Sequence, residues 1–220
     1  PRGPSGGNYT YVMIGDPAVS FFASAYNKGI CNYDAELAYE GLRKNAFVGG
    51  IRDHAGYEHS KTAHSGGMKY YEERKDVEGM HITGASMTLE YAYQDWCLAQ
   101  MAKTMGKLQD YEFFMKRSKN YRHLWNPESG YMQPRGIDGD WLPCFDPLEL
   151  TEKGGFCESN SAIYSHYVPH DMTGLIELYG GADKYIERLN ANFEKSEPYG
   201  FFRSNKTKEG NWTDYGNQPG

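Results

Sequence analysis

The sequence predicts an all-α fold, part of an α/α toroid built from αα-hairpins with long loops and short strands. Three observations predict it. A pattern of helix, glycine stop, short link and Asp-led helix occurs three times along the 220 residues. The stretches between these hairpins are long and aromatic rather than low in complexity. No run approaches the roughly 18–20 apolar residues that a membrane-spanning helix needs, so the hydrophobic segments read as packing helices.

The first hairpin is "GDPAVSFFASAYNKG" followed by "DAELAYEGLRKNAF". Asp16 is the expected N-cap, with Pro17 at the first helical position and a stop at Gly29. Asp34 opens the second helix. The second hairpin begins with "ASMTLEYAYQDWCLAQMAKTMG", where Leu89, Ala92, Trp96 and Ala99 fall at helical spacing and Gly106 ends the run. Asp110 is expected to open "DYEFFMKRSKNYRHLW", with Tyr111, Phe114, Tyr121 and Leu124 on one face. The third is "VPHDMTGLIELYGG" followed by "DKYIERLNANF". Between the second and third lies a Pro- and Gly-rich segment expected to form short strands or a hairpin around Gly130 and Gly139. Another long segment, from Val48 to Gly79, separates the first two hairpins. Loops of this length inside a compact domain read as functional. A closed six-hairpin toroid needs about twelve helices and about six are read here, so the chain reads as half a barrel. A plain helical bundle or solenoid is the alternative.

Composition narrows the partners. The net charge of −6, with no Lys/Arg run, argues against nucleic acid. The hydropathy pattern argues against a membrane span. Cys31, Cys97, Cys144 and Cys157 are widely spaced without C-x-x-C, which argues against a zinc cluster and leaves disulfides and free thiols both open. Nineteen tyrosines lift the aromatic share to 15%, which suits either carbohydrate stacking or a tyrosine-rich core. The opening "PRGPSGGNYT" is neither a signal peptide nor a Met start. Asn8, Asn205 and Asn211 are glycosylation acceptor sequences if the protein is secreted.

The stretch "GFCESNSAIYSHYVPHD" carries the chemistry. It sets Glu158 among Phe156, Tyr164 and Tyr167. A surface glutamate needs no such company; a carboxyl that must keep a proton near neutral pH does. A helix-terminal or salt-bridged glutamate is the structural alternative. Asn160 is placed to orient Glu158 or to reach a sugar hydroxyl. His170 and Asp171 are candidates for substrate contact or, with Pro169, for a helix start. A zinc pair of His166 and His170 lacks the Glu of H-E-x-x-H and is interrupted by Pro169. On the central helix, Asp95 either points into a barrel mouth or faces a loop. Trp141, in "DGDWLPCFDP", is either a stacking platform for a sugar ring or a core anchor.

The ordered series "TLEYAYQDWCLAQMAKTMG", "YEFFMKRSKNYRHLWNPESGYMQPR", "GFCESNSAIYSHYVPHD" and "YGNQP" resembles glycoside hydrolase family 92, the exo-acting α-mannosidases. The resemblance runs from about "MIGDPAVSFFASAY" to the last residue. It implies an inverting, Ca²⁺-dependent hydrolase that releases terminal α-linked mannose from glycans such as N-glycans. It implies an α/α-toroid catalytic domain following an N-terminal β-sandwich, in a secreted, periplasmic or cell-surface protein. It implies that Glu158 is the general acid and that the turn of Asn217 and Gln218 helps hold Ca²⁺. A plain turn is the alternative there, and Gln218 stands where the family usually has Glu. Tyr215 and Gly216 occupy the positions that set linkage preference, but they are not the His-Glu pair of the α-1,2-selective arrangement, so linkage stays open. The family's general base lies further along than this turn, so the chain is expected to be an internal fragment, residues 1–220 forming part of the catalytic toroid and inactive alone. A non-catalytic carbohydrate-binding fragment and a helical interaction scaffold are the other readings.

Overall fold

The computed structural model describes residues 14–54, 84–135, 139–148, 155–157 and 159–196, together with the backbone of two short strands at 205–206 and 212–213. The chain begins with helices α1 (Ala18–Asn27), α2 (Ala35–Asn45) and the single turn α3 (Ile51–His54). The long helix α4 (Gly84–Thr104) and α5 (Leu108–Arg117) follow. A 3₁₀ turn over Asn120–Leu124 leads into the antiparallel pair β1 (Trp125–Asn126) and β2 (Tyr131–Met132). Then come α6 (Ser161–Tyr164), α7 (Met172–Tyr179) and α8 (Ala182–Ser196), and last the pair β3 (Asn205–Lys206) and β4 (Trp212–Thr213).

Local chemistry accounts for most of these boundaries. Asp34 caps α2 by accepting the Leu37 N–H, and Asp171 caps α7 by accepting the Gly174 N–H. Gly180 ends α7 in the left-handed conformation that glycine adopts without strain. Two boundaries differ from expectation. Asp16 does not cap α1; its carboxylate accepts from the Asn45 side chain at 3.1 Å, while Pro17 takes the cap position. Asp110 does not open α5 but lies in its first turn, where it accepts from Tyr39 and Arg43 of α2. A carboxylate near a helix N-terminus is favourable without capping it, and the cross-helix partners hold it there.

The expected single helix from Asp110 to Trp125 is broken at Arg117, so its apolar residues serve two cores. Phe114 packs with Val19, Ala23, Tyr39, Leu42 and the C-terminal half of α4. Tyr121 and Leu124 pack with Ala85, Leu89 and Ala92 at the N-terminal half of α4, along with Phe156, Val168 and Leu175. The hairpin expected around Gly130 forms, and around Gly139 Arg135 and Trp141 make an isolated antiparallel bridge. All four cysteines are free thiols.

Helix α4 is buried on nearly all sides, which forces its one aspartate to be satisfied inside the protein. Asp95 has no exposure and takes Arg52 Nη1 at 2.6 Å and Arg117 Nε at 2.6 Å. It therefore neither points into an open mouth nor faces a loop. Burial alone would raise its pKa; the two guanidinium groups outweigh burial and hold it below the ordinary carboxylate range. Arg117 also donates to the Ala46 carbonyl at 2.8 Å, and Arg52 offers its own carbonyl to the Tyr91 hydroxyl at 2.7 Å. The triad thus fixes α3, the end of α2 and α5 to the middle of α4.

Removing the charge leaves two buried guanidinium groups facing each other. Asp95→Ala is expected to cost about 3–5 kcal/mol in urea denaturation at neutral pH. Because the folded pKa is depressed, the contribution of Asp95 is present above the unfolded value near 3.9 and is lost as pH falls through the folded value. The difference between wild type and Asp95→Ala should therefore shrink in acid.

Candidate active site

The N-terminal half of α4 gathers three separate parts of the chain. The Gly155 carbonyl accepts the N–H groups of Ala85 at 3.0 Å and Ser86 at 3.3 Å, satisfying donors that a helix start leaves open. The Cys157 N–H donates to Ser86 Oγ at 3.0 Å. Gly155 has φ +84°, and a Cβ there would lie 2.4 Å from Pro134 Cγ, so only glycine fits this docking point. Ile14, Met87, Tyr91 and Cys157 close a small apolar cluster around it.

Glu158 itself lies outside the described residues, but its neighbours on both sides are fixed. Phe156 and Cys157 are buried before it, and Ser159 and Asn160 after it. The ring of Tyr164 packs on Phe156 at 5.4 Å, and its hydroxyl donates to the Cys157 carbonyl at 3.3 Å. Asn160 is fully buried; its side-chain oxygen accepts the Ile163 N–H and caps α6. The aromatic, poorly solvated setting read from the sequence is present at the positions that flank Glu158.

A carboxyl, Glu90, stands on this same half of α4. Glu90 lies one helical turn beyond Ser86 and takes Gln94 Nε2 at 3.4 Å. Burial pushes its pKa up to about 7, against the weaker opposing pull of the nearby Tyr167 and Gln94 side chains. Gln94 in turn accepts the Asp16 N–H at 2.9 Å. Sequence reasoning places Glu90 on the central helix but gives it no role. A signal is nevertheless there: Ser86, Glu90 and Gln94 recur every four residues, a polar strip on a helix otherwise buried in apolar contacts.

The remaining candidates fall elsewhere. His170 Nε2 lies 3.0 Å from the Ser118 carbonyl, with its ring against Tyr93 and Tyr121, and burial lowers its pKa. Asp171 caps α7 and accepts from Lys119 and Tyr121. Both therefore secure the junction between the 3₁₀ turn and α7. His166 pairs with Asn192 at 2.8 Å and stacks on Tyr179, and burial lowers its pKa to about 4, with Arg188 adding to the effect. The two histidines have separate partners, and among the described residues no three His, Cys, Asp or Glu side chains gather as a metal site. Trp141 is half-buried with the Arg135 guanidinium 4.5 Å from its ring centre, so one face is covered. Asp95 belongs to the buried ion triad. Tyr215, Gly216, Asn217 and Gln218 lie outside the described residues.

Comparison with known proteins places this arrangement first among glycoside hydrolases. A secreted glycosidase of Arthroderma benhamiae, itself uncharacterized, is 30% identical over 211 residues, covering 82% of this chain and 26% of that protein. An inverting family 92 mannosidase of Bacteroides thetaiotaomicron superposes with a TM-score of 0.74 at 32% identity, over 86% of this chain and 24% of that one. A family 92 α-mannosidase of the same bacterium, in complex with mannoimidazole, gives 0.71 at 32% identity, again over 86% and 24%. The chain spans about a quarter of the length of these relatives. Residues 1–220 match the catalytic domain of glycosyl hydrolase family 92 throughout. The chain belongs to that family.

Two glycines separate the docking contact from plain backbone strain. Gly106 has φ +76° and open space within 4 Å of where a Cβ would stand, whereas a Cβ on Gly155 meets Pro134. Gly106→Ala should cost only the left-handed penalty, about 1–2 kcal/mol. Gly155→Ala should cost clearly more in the same denaturation experiment, and hydrogen exchange should rise across residues 155–160.

Proposed function

We propose that this chain forms part of the catalytic domain of an α-mannosidase that removes terminal α-linked mannose with inversion, and that Glu158 is its general acid. The observation that carries the reading is the setting of the residues that flank Glu158. Phe156 and Cys157 before it and Ser159 and Asn160 after it are buried, the Cys157 N–H is pinned to Ser86 at the start of the central helix, and Tyr164 packs on Phe156. In an inverting glycosidase one carboxylic acid protonates the leaving oxygen while a second carboxylate activates water on the opposite face, the two standing roughly 6.5–9.5 Å apart. The acid must hold its proton at neutral pH, and a poorly solvated aromatic setting achieves that. Family membership supports the reaction class. The mannoimidazole bound by the Bacteroides relative supports a mannose ring as the ligand. The name of the Arthroderma relative supports secretion.

The architecture proposed with this function is an α/α toroid. Phe21, Leu37 and Leu108 are more than half exposed on α1, α2 and at the start of α5, and further hairpins would cover such apolar faces. Calcium is proposed to bind at Asn217 and Gln218. Their donor chemistry fits: amide oxygens are hard, neutral ligands of the kind calcium takes six to eight of. Bound there, calcium would help hold and distort the sugar. A glutamine at 218 leaves the ligand set one negative charge short of a glutamate.

Two experiments on the protein that carries this domain test the reading. Glu158→Gln should lose about 10²–10⁴-fold in rate on glycans, whose leaving groups need protonation. It should lose much less on an activated aryl α-mannoside; equal losses on both would remove Glu158 from the acid role. For the metal, Gln218→Glu should tighten calcium binding in calorimetry after chelator treatment. Unchanged affinity would exclude position 218 from the ligand set.

A further inference from the structure

Helix α8 meets the rest of the chain along one face. None of its described side chains is fully buried, and Tyr185, Arg188 and Asn192, spaced three and four residues apart, are half-buried. His166, in the turn just after α6, is the centre of this contact. Its ring stacks on Tyr179 of α7 with centroids 5.8 Å apart and lies edge-on to Tyr185 at 5.5 Å. Asn192 Nδ2 lies 2.8 Å from His166 Nε2 and donates to the Ala162 carbonyl of α6 at 3.0 Å. Hydrogen-bond chemistry then fixes the protonation state of the ring. The Ala162 carbonyl can only accept, so Asn192 turns its NH₂ group to this side. Nε2 is therefore an acceptor, and the neutral ring carries its hydrogen on Nδ1. An imidazolium is a donor at both nitrogens. At Nε2 it would set N–H against N–H, and Nδ1 is buried with no acceptor among the described residues.

We propose that His166 is a pH-sensitive latch: the neutral ring holds α8 to α6 and α7 through Asn192 and Tyr185, and protonation in acid releases α8 before the core around α4 opens. The groups around the ring oppose its charge. From α8 come Arg188, a second positive charge, and the phenol of Tyr185; from α7 comes Tyr179. From β2 comes Tyr131, with the Arg188 guanidinium 4.4 Å from its ring centre. Burial raises the pKa of Tyr179 and Tyr185, so both are neutral phenols where a histidine titrates. None of these four groups is a carboxylate that would balance an imidazolium. Burial, with Arg188 adding to it, accordingly holds His166 down to about 4.

The docked pKa lies below the exposed value near 6.5, so in acid the released helix binds a proton that the docked one lacks. Docking is level above about pH 6.5 and weakens as pH falls toward about 4, the ratio of released to docked helix rising by up to about tenfold per pH unit. Hydrogen exchange, corrected for the pH dependence of the chemical rate, reads this ratio on the protein that carries this domain. Opening of residues 182–196 should rise more than about tenfold between about pH 6.5 and pH 4.5, well ahead of residues 95–104 of α4. His166→Gln, whose amide oxygen accepts from Asn192 without titrating, should abolish that rise and leave residues 95–104 as in wild type. No rise in wild type, the same rise in His166→Gln, or opening of 95–104 in step with 182–196 overturns the proposal. Should the substitution disturb folding, wild-type protein carrying ¹⁵N-labelled histidine decides. Its ring nitrogen shifts at neutral pH should place the hydrogen of His166 on Nδ1, and a hydrogen on Nε2 overturns the latch.

Discussion

A carboxylate with no exposure to water must either take up a proton or find cations. Asp95 finds two, and much of the first half of the chain is arranged to supply them. Arg52 arrives on the single turn α3 and Arg117 at the last residue of α5. Neither element is long enough to hold its place by propensity alone. The rings of Phe47, Phe113 and Phe114 lie 5.1–5.2 Å from the Arg117 guanidinium, so the cation is held by π-faces as well as by the carboxylate. Replacing such a triad with well-packed apolar residues is often neutral or stabilising in other proteins. Its value here is directional: it fixes which short elements meet the middle of α4 and in what orientation.

That constraint divides α4 into two halves with different duties. Toward the C-terminus, Leu98, Ala99, Met101 and Ala102 pack α1, α2 and α5 through apolar contact. Small alanines let those helices approach closely. Toward the N-terminus, the apolar core of Ala85, Leu89 and Ala92 is flanked by Ser86, Glu90 and Gln94. Each of these polar groups is a liability until a backbone or hydroxyl group arrives from a loop. The loops arrive, and their backbone N–H groups at Cys157 and Asp16 are satisfied in return. Connecting segments are thereby pinned at the one end of the helix where chemistry is proposed.

The sequence is legible where one residue dictates local structure. Asp34, Asp171, Gly29, Gly106 and Gly180 act on their own neighbours, and the αα grammar they spell is the grammar of the fold. It misleads where a side chain answers to a partner far along the chain. Asp16 and Asp110 resemble caps in sequence, but Asn45, Tyr39 and Arg43 claim them across helices. The break after Arg117 is hidden for the same reason, since the arginine that ends α5 is held by Asp95 of another helix. The aromatic packing of the residues that flank Glu158 is legible because it is local. The raised proton affinity of Glu90 is not, because it comes from burial in the folded chain, and only the four-residue spacing of polar groups on a buried helix hints at it.

Asp95 and Glu90 sit on the same helix, five residues apart, and their proton affinities are driven in opposite directions. Burial acts on both in the same sense. What differs is the company: two guanidinium groups at Asp95, neutral phenol and amide donors at Glu90. Environments that push two carboxyls apart in this way separate a permanent charge from a group able to hold or release a proton near pH 7. The permanent charge lies in the core and organises the helices. The carboxyl of raised pKa lies one turn from Ser86, which takes the Cys157 N–H. The chain thus uses cations to stabilise its architecture and confines its adjustable carboxyl to the place where the loops converge.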